Sequence, residues 1–201
     1  MLDLSSTHRA FGPNAHEFSA EASGLLLGKL IATTLGWRPV EALCVGDLVL
    51  TFDNGFLPIR AVRRVVLWDG DGACPDHLRP VEIGADLLPD VSCVRVMSHQ
   101  GIMVESDFAE SHRGDPFAVI LPGAIAQFGL AQPVHCEAPI EVIILEFDSD
   151  EVIYGQSGML YHVPAAAGIG GPVDTACVYK ILNEVETRTV LQELHSANTT
   201  N

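Results

Sequence analysis

Apolar positions in this chain fall in short runs, broken repeatedly by Gly, Pro, Asp and Asn. From Leu25 the pattern reads as a strand pair, Leu25 to Leu27 and Leu30 to Thr34, broken at Gly28. A turn at Gly36 follows, and Pro39 in RPVEAL suits the opening of a turn or short helix. VLTF then leads into Asp53-Asn54-Gly55, a hairpin signal. LPIRAVRRVVLW alternates well enough for a strand with Arg60, Arg63 and Arg64 on a solvated face. DGDGACPDHL is a loop, PVEIGADLLPD a short strand with turn residues, and CVRVMSHQGIMVES two strands around a polar break at Ser98 to Gly101. Asp107 to Pro116 reads as a charged loop, and Pro122 begins a brief helix. PIEVIILEFDSDEVIYGQSGM holds two strands around a tip at Asp148-Ser149-Asp150. In VYKILNEVETRTVLQEL, Val178, Ile181, Leu182 and Val185 share one helical face. Many short strands, frequent turns and a C-terminal helix place the chain in the all-β class.

Composition narrows the function. At 201 residues the chain is long enough for one well-buried domain. Eleven basic against 26 acidic residues leave a formal charge of −15, which argues against nucleic acid or an anionic membrane as partner. A protein partner stays open, and so does the oligomeric state. The longest apolar runs, from Val119 and from Ile140, are interrupted or short against the roughly twenty residues a spanning helix needs. Asp3, His8 and Arg9 interrupt the N-terminus, which does not read as a secretory signal. The five cysteines (Cys44, Cys74, Cys93, Cys136 and Cys177) are widely spaced and form no CxxC pair. They read as free thiols in a reducing, cytoplasmic setting. No cofactor or metal is expected.

Three phrases then acquire meaning together. Gly28-Lys29-Leu30-Ile31-Ala32-Thr33, Gly36-Trp37-Arg38-Pro39-Val40-Glu41 and Val45-Gly46-Asp47-Leu48-Val49 resemble the first block of the Hint (hedgehog/intein) domain family. The bacterial short Hint-domain proteins are the nearest group. Val96 to Val104 resembles the family's strand-His-strand segment, and Leu145 to Phe147 with Glu151 to Tyr154 its late strand pair. The resemblance spans residues 24–195, preceded by a flexible lead over 1–23 and followed by a disordered tail over 196–201. It implies a horseshoe of short, mostly antiparallel strands and self-processing chemistry. In such chemistry a leading Cys or Ser attacks the preceding carbonyl by an N-to-O/S acyl shift, and a mid-block His protonates the departing nitrogen.

This sequence departs from the family at those points. The leading nucleophile falls on Gly24, the mid-block His on Gln100, and the late-block His on Asp150. Glycine carries no nucleophile, and glutamine is no general acid near neutral pH. The resemblance therefore implies a degenerate member, a binding or structural module. An alternative is an active self-cleaving domain in which Ser23 and His99, each one residue earlier, take the roles. A one-residue slip, however, turns a strand side chain to the opposite face. The polar HSANTTN terminus reads as a frayed tail, although Asn201 resembles a terminal intein Asn.

A third reading is an unrelated all-β enzyme built on Cys136. The adjacent His135 would point away on an extended chain, so the thiol would need His99 or His77. His99, Cys93 and His135 could gather a metal, but their spacing does not recommend it. Asp148, Asp150 and Glu151 could hold Ca²⁺ weakly, although a solvated acidic tip is favoured. Arg60, Arg63 and Arg64 read as partners of nearby carboxylates rather than a phosphate site.

Overall fold

A computed structural model describes residues 23–85, 87–88, 93–165 and 179–199. The expected lead, apart from Ser23, Val178 of the expected helical face and the last two residues lie outside the described residues.

The short apolar runs become fourteen strands in three curled sheets among the described residues. The first sheet has the order β1 (Leu25–Leu26), β12 (Ile140–Glu146), β6 (Ala61–Trp68). The largest runs β10 (Phe117–Ile120), β9 (Ile102–Glu105), β14 (Leu160–Val163), β13 (Glu151–Tyr154), β4 (Leu48–Thr51), β2 (Leu30–Thr33), β3 (Gly36–Pro39). Strand β5 (Gly55–Pro58) pairs with β4 through the expected Asp53-Asn54-Gly55 hairpin. The third sheet orders β11 (Ala131–Pro133), β7 (Val81–Ile83) and β8 (Val94–Val96). All of these pairings are antiparallel. The result is the expected all-β fold, curled into a half-barrel of the horseshoe type.

Alternation explains which faces meet. In β2, Ile31 and Thr33 are buried while Leu30 and Ala32 are half-buried, the period-2 signature of a half-covered sheet. Strand β12 is more deeply buried, with Ile140, Val142, Ile143 and Leu145 inside. One core gathers Ile31, Val49, Ile102, Ile120, Ile153 and Leu191, so residues far apart in sequence share one apolar interior. Residues 40–42 form the expected single helical turn after Pro39, and α2 (Pro122–Gln127) starts on its proline as expected. Arg60, just before β6, pairs with Asp148, and on β6 Arg63 pairs with Glu146 and Arg64 with Glu141 of β12, as expected of an exposed basic face.

Several local expectations are corrected. Asp107 to Pro116 is not simply a loop: Asp107–Arg113 forms α1. Ser106 Oγ caps it by accepting from Ala109 N, and Gly114 ends it at φ +73°. The C-terminal helix, α3 (Glu184–Thr199), begins later than the 178–194 periodicity suggested and runs beyond the boundary expected at 195. Ile181 instead makes a parallel bridge with Val119. Strands β1 and β2 do not pair with one another; β1 joins β12. Nor do β12 and β13 form a hairpin, because they belong to different sheets. Their junction is no solvated acidic tip: Asp148 is exposed, but Asp150 and Glu151 are buried.

Candidate functional site

Gly24 opens β1, whose two residues pair with Val142 and Ile143 of β12. It is buried at φ +125°, a region that side-chain-bearing residues rarely enter. A Cβ built here would lie 2.9 Å from Val142 Cγ2, 3.0 Å from Val142 Cβ and 3.2 Å from Ile144 Cγ1. Backbone conformation and packing therefore select glycine independently.

The Gly24 N–H donates to Gln100 Oε1 at 3.2 Å. Gln100 stands in the break between β8 and β9 and is 5% exposed. Its Nε2 donates to the His162 carbonyl at 2.7 Å and to the Gly101 carbonyl at 3.1 Å. The side-chain amide is thus fixed at both ends, with its oxygen toward Gly24. Such buried neutral groups are stable only when paired.

The path continues through His162 on β14. Its N–H donates to the Gly101 carbonyl at 2.9 Å, and its Nε2 lies 2.6 Å from Asp150 Oδ1. Gly101 makes room for this ring: a Cβ there would meet His162 Nδ1 at 3.1 Å and Val119 Cγ1 at 2.9 Å. Both partners are nearly enclosed, His162 at 4% and Asp150 at 6% exposure. Asp150 Oδ2 also accepts from the Tyr179 N–H at 3.0 Å. The Tyr179 ring stands edge-on to the imidazole, and its hydroxyl donates to Asp53. Burial first, and then the Asp53 hydrogen bond, push the Tyr179 phenol well above the usual tyrosine range. Next to Asp150, the buried Glu151 carboxylate accepts from Ser149 Oγ at 2.6 Å and from Asn54 Nδ2 at 3.1 and 3.2 Å.

Gly24, Gln100 and Asp150 are thus joined by one hydrogen-bonded path, with His162 as the link between the latter two. The sequence reading missed His162. Its only signal was a Tyr-His pair in an apolar stretch soon after Gly158, a pattern equally suited to a core histidine. Ser23 is half-buried immediately before Gly24. His99 is half-buried beside His77; burial first, and then His77, push its imidazole below the usual histidine range.

The other candidates disperse. The Cys136 thiol donates weakly to the Val134 carbonyl at 3.5 Å and packs with Cys74 rather than with an imidazole. Burial first, and then Cys74, push that thiol upward, away from the thiolate a nucleophile needs. His135 is exposed. Among the described residues no three His, Cys, Asp or Glu side chains cluster as a metal site. No helix of the described residues is long and apolar enough to cross a membrane.

Fold and site define an all-β domain whose first short strand delivers a buried glycine to a polar turn between two sheets. A family model described as the Hint domain matches residues 24–159, more than half of the chain, and the chain belongs to the Hint family. Among solved structures, the chain is similar to the MchDnaB-1 intein at 13% identity, covering 69% of this chain and 98% of that one, with a TM-score of 0.39. The gp41-1 intein is 14% identical over 69% of this chain and 97% of that one, with a TM-score of 0.39. A bacterial intein-like domain from Clostridium thermocellum is 14% identical over 70% and 98%, with a TM-score of 0.37. No curated protein matches the chain.

Proposed function

We propose that this Hint domain no longer processes itself and serves as a non-catalytic binding or structural module. The observation that carries this reading is the closed space at Gly24. A Cys or Ser there would need a disfavoured backbone conformation and would press its Cβ against Val142 and Ile144.

The neighbouring groups support the same reading. Gln100 touches the Gly24 nitrogen, where the family's mid-block His would protonate a departing amide. Its oxygen is an acceptor there and its NH₂ is engaged by two carbonyls, so it has no proton to deliver. Asp150, in the late-block position, is turned to His162 and the Tyr179 N–H. The −15 charge supports a role away from nucleic acid and leaves a protein partner open. Free thiols at Cys44, Cys74, Cys93 and Cys136 fit a reducing, cytoplasmic setting.

Intact-mass spectrometry of the expressed chain tests the proposal. The expected result is one uncleaved species of 21.6 kDa that survives added thiol and hydroxylamine. Loss of the residues before Ser23 or Gly24, blocked by Ser23→Ala, would overturn it in favour of self-cleavage from a nonstandard nucleophile.

A further inference from the structure

The described residues include a polar concavity that shares no residue with the Gly24 path. It is a cavity of about 160 Å³ whose walls include Lys29, Cys93, Val94, Gln156, Ser157 and Tyr161. Lys29 follows the Gly28 turn between β1 and β2, Cys93 precedes β8 and Val94 opens it, and Gln156 and Ser157 turn the chain from β13 to β14.

Three observations converge on it. Every arginine among the described residues has a carboxylate within salt-bridge distance, whereas the half-buried Lys29 has none. Ser157, which lines the cavity, holds φ +60°, the one positive φ outside glycine among the described residues. The neighbouring charges are balanced in a particular way. Glu82 is already bound by Arg95, Nε to Oε2 at 2.8 Å, and by the Cys93 thiol. Glu41 is held by the Gly28 N–H at the rim, at 2.9 Å, and Lys29 is the one charged side chain among the lining residues.

We infer that this cavity binds a single carboxylate group, with the Lys29 ammonium as its counter-ion and Gln156 Nε2 and Ser157 Oγ as added donors. The single lining cation matches a carboxylate; a phosphate dianion would bring a second negative charge with no counter-ion in the lining, close to Glu41. The state of Lys29 agrees. Burial first, and then the Arg95 guanidinium, push its ammonium below the usual lysine range, with Cys93 opposing. A bound carboxylate relieves both effects. The inference stands whether or not autoprocessing is lost, because the cavity uses none of the Gly24, Gln100, His162 or Asp150 side chains.

The chain has only two lysines, Lys29 and Lys180, so ¹³C-lysine labelling yields two resolvable side-chain signals. Acetate titration of the full chain is expected to shift the Lys29 signal saturably and raise its titration midpoint, while exposed Lys180 follows the buffer. Acetyl-diglycine with a free C-terminus, compared with its amide, separates a peptide carboxylate from a small free acid. Tighter binding than acetate, lost in the amide, assigns the peptide end; equal or weaker binding assigns the small acid. Followed through backbone amides, Lys29→Gln is expected to weaken acetate binding at least about tenfold, the loss of one charge-assisted hydrogen bond. Ser157→Ala tests the added donor without removing charge, and a smaller weakening is expected. No saturable shift, equal shifts at both lysines, or tighter binding of inorganic phosphate than of acetate would overturn the assignment. So would unchanged acetate affinity in folded Lys29→Gln.

Discussion

The two ends of the hydrogen-bonded path are built on opposite principles. At the Gly24 end every group is neutral: a backbone N–H meets a glutamine amide, and Val142 and Ile144 fill the remaining space. At the Asp150 end an ionisable pair is buried, with His162 and the Tyr179 N–H both turned to the carboxylate. The contrast teaches where chemistry and stability part company. The neutral end is held by shape and by a fixed amide. The ionisable end keeps groups able to carry a proton, but each is committed to holding β13, β14 and the segment before α3 together. A buried ionisable pair of this kind persists because both partners are present; either alone would be left buried without its hydrogen-bond partner.

The comparison can be broken most forcefully at Asp150. Asp150→Ala strands His162 Nε2 and the Tyr179 N–H, and a loss of about 3–5 kcal/mol is expected in urea unfolding. A loss below ~1 kcal/mol would show that the pair is not the structural clasp described.

Gly24→Ala comes next, at about 2–4 kcal/mol, from left-handed backbone strain and overlap with Val142. Pairing it with Val142→Ala sharpens the test. Steric closure requires a favourable coupling of about 1 kcal/mol between the two changes, whereas additivity within ~0.5 kcal/mol would leave backbone strain alone responsible.

The smallest effect is expected at His99, beside Gln100. Its folded-state pKa is depressed by burial, so its contribution is present above the unfolded value of about 6.5 and is lost as pH falls toward the folded value. His99→Gln should therefore narrow the stability difference between about pH 7.5 and about pH 5.5 relative to the parent chain. A larger pH dependence in the variant would reverse the assignment.

Much of the fold was legible because its signals are local. The Asp53-Asn54-Gly55 turn, the Pro39 and Pro122 starts and the alternation of β6 each depend on a few neighbouring residues. Helix α1 was legible too, but its signals were not read: a Ser106 cap, Asp107 and Glu110 in the first turn, His112 and Arg113 in the last, and Gly114 after it. Strand β14 was harder. Its partners, β9 and β13, define its faces, and no periodicity in LYHV alone reveals that His162 turns toward Asp150.

Asp150 shows the same limit from the other side. In sequence it belongs to an acidic cluster, and hydration is the cheapest fate for such a cluster. The chain buries it because β12 and β13 part into different sheets at that point, bringing the carboxylate under β14.

By itself, then, the sequence determined the all-β class, the Hint likeness, the negative charge and the absence of reactive side chains at positions 24 and 100. These follow from residue identity and short-range pattern. Only the tertiary structure decided that Gly24 is closed by Val142 and Ile144, that Gln100 is bonded to it, and that Asp150 is hydrogen-bonded to a histidine twelve residues away. Those are matters of which distant strands become neighbours, and strand pairing is a long-range choice governed by collective burial rather than by any local run of residues.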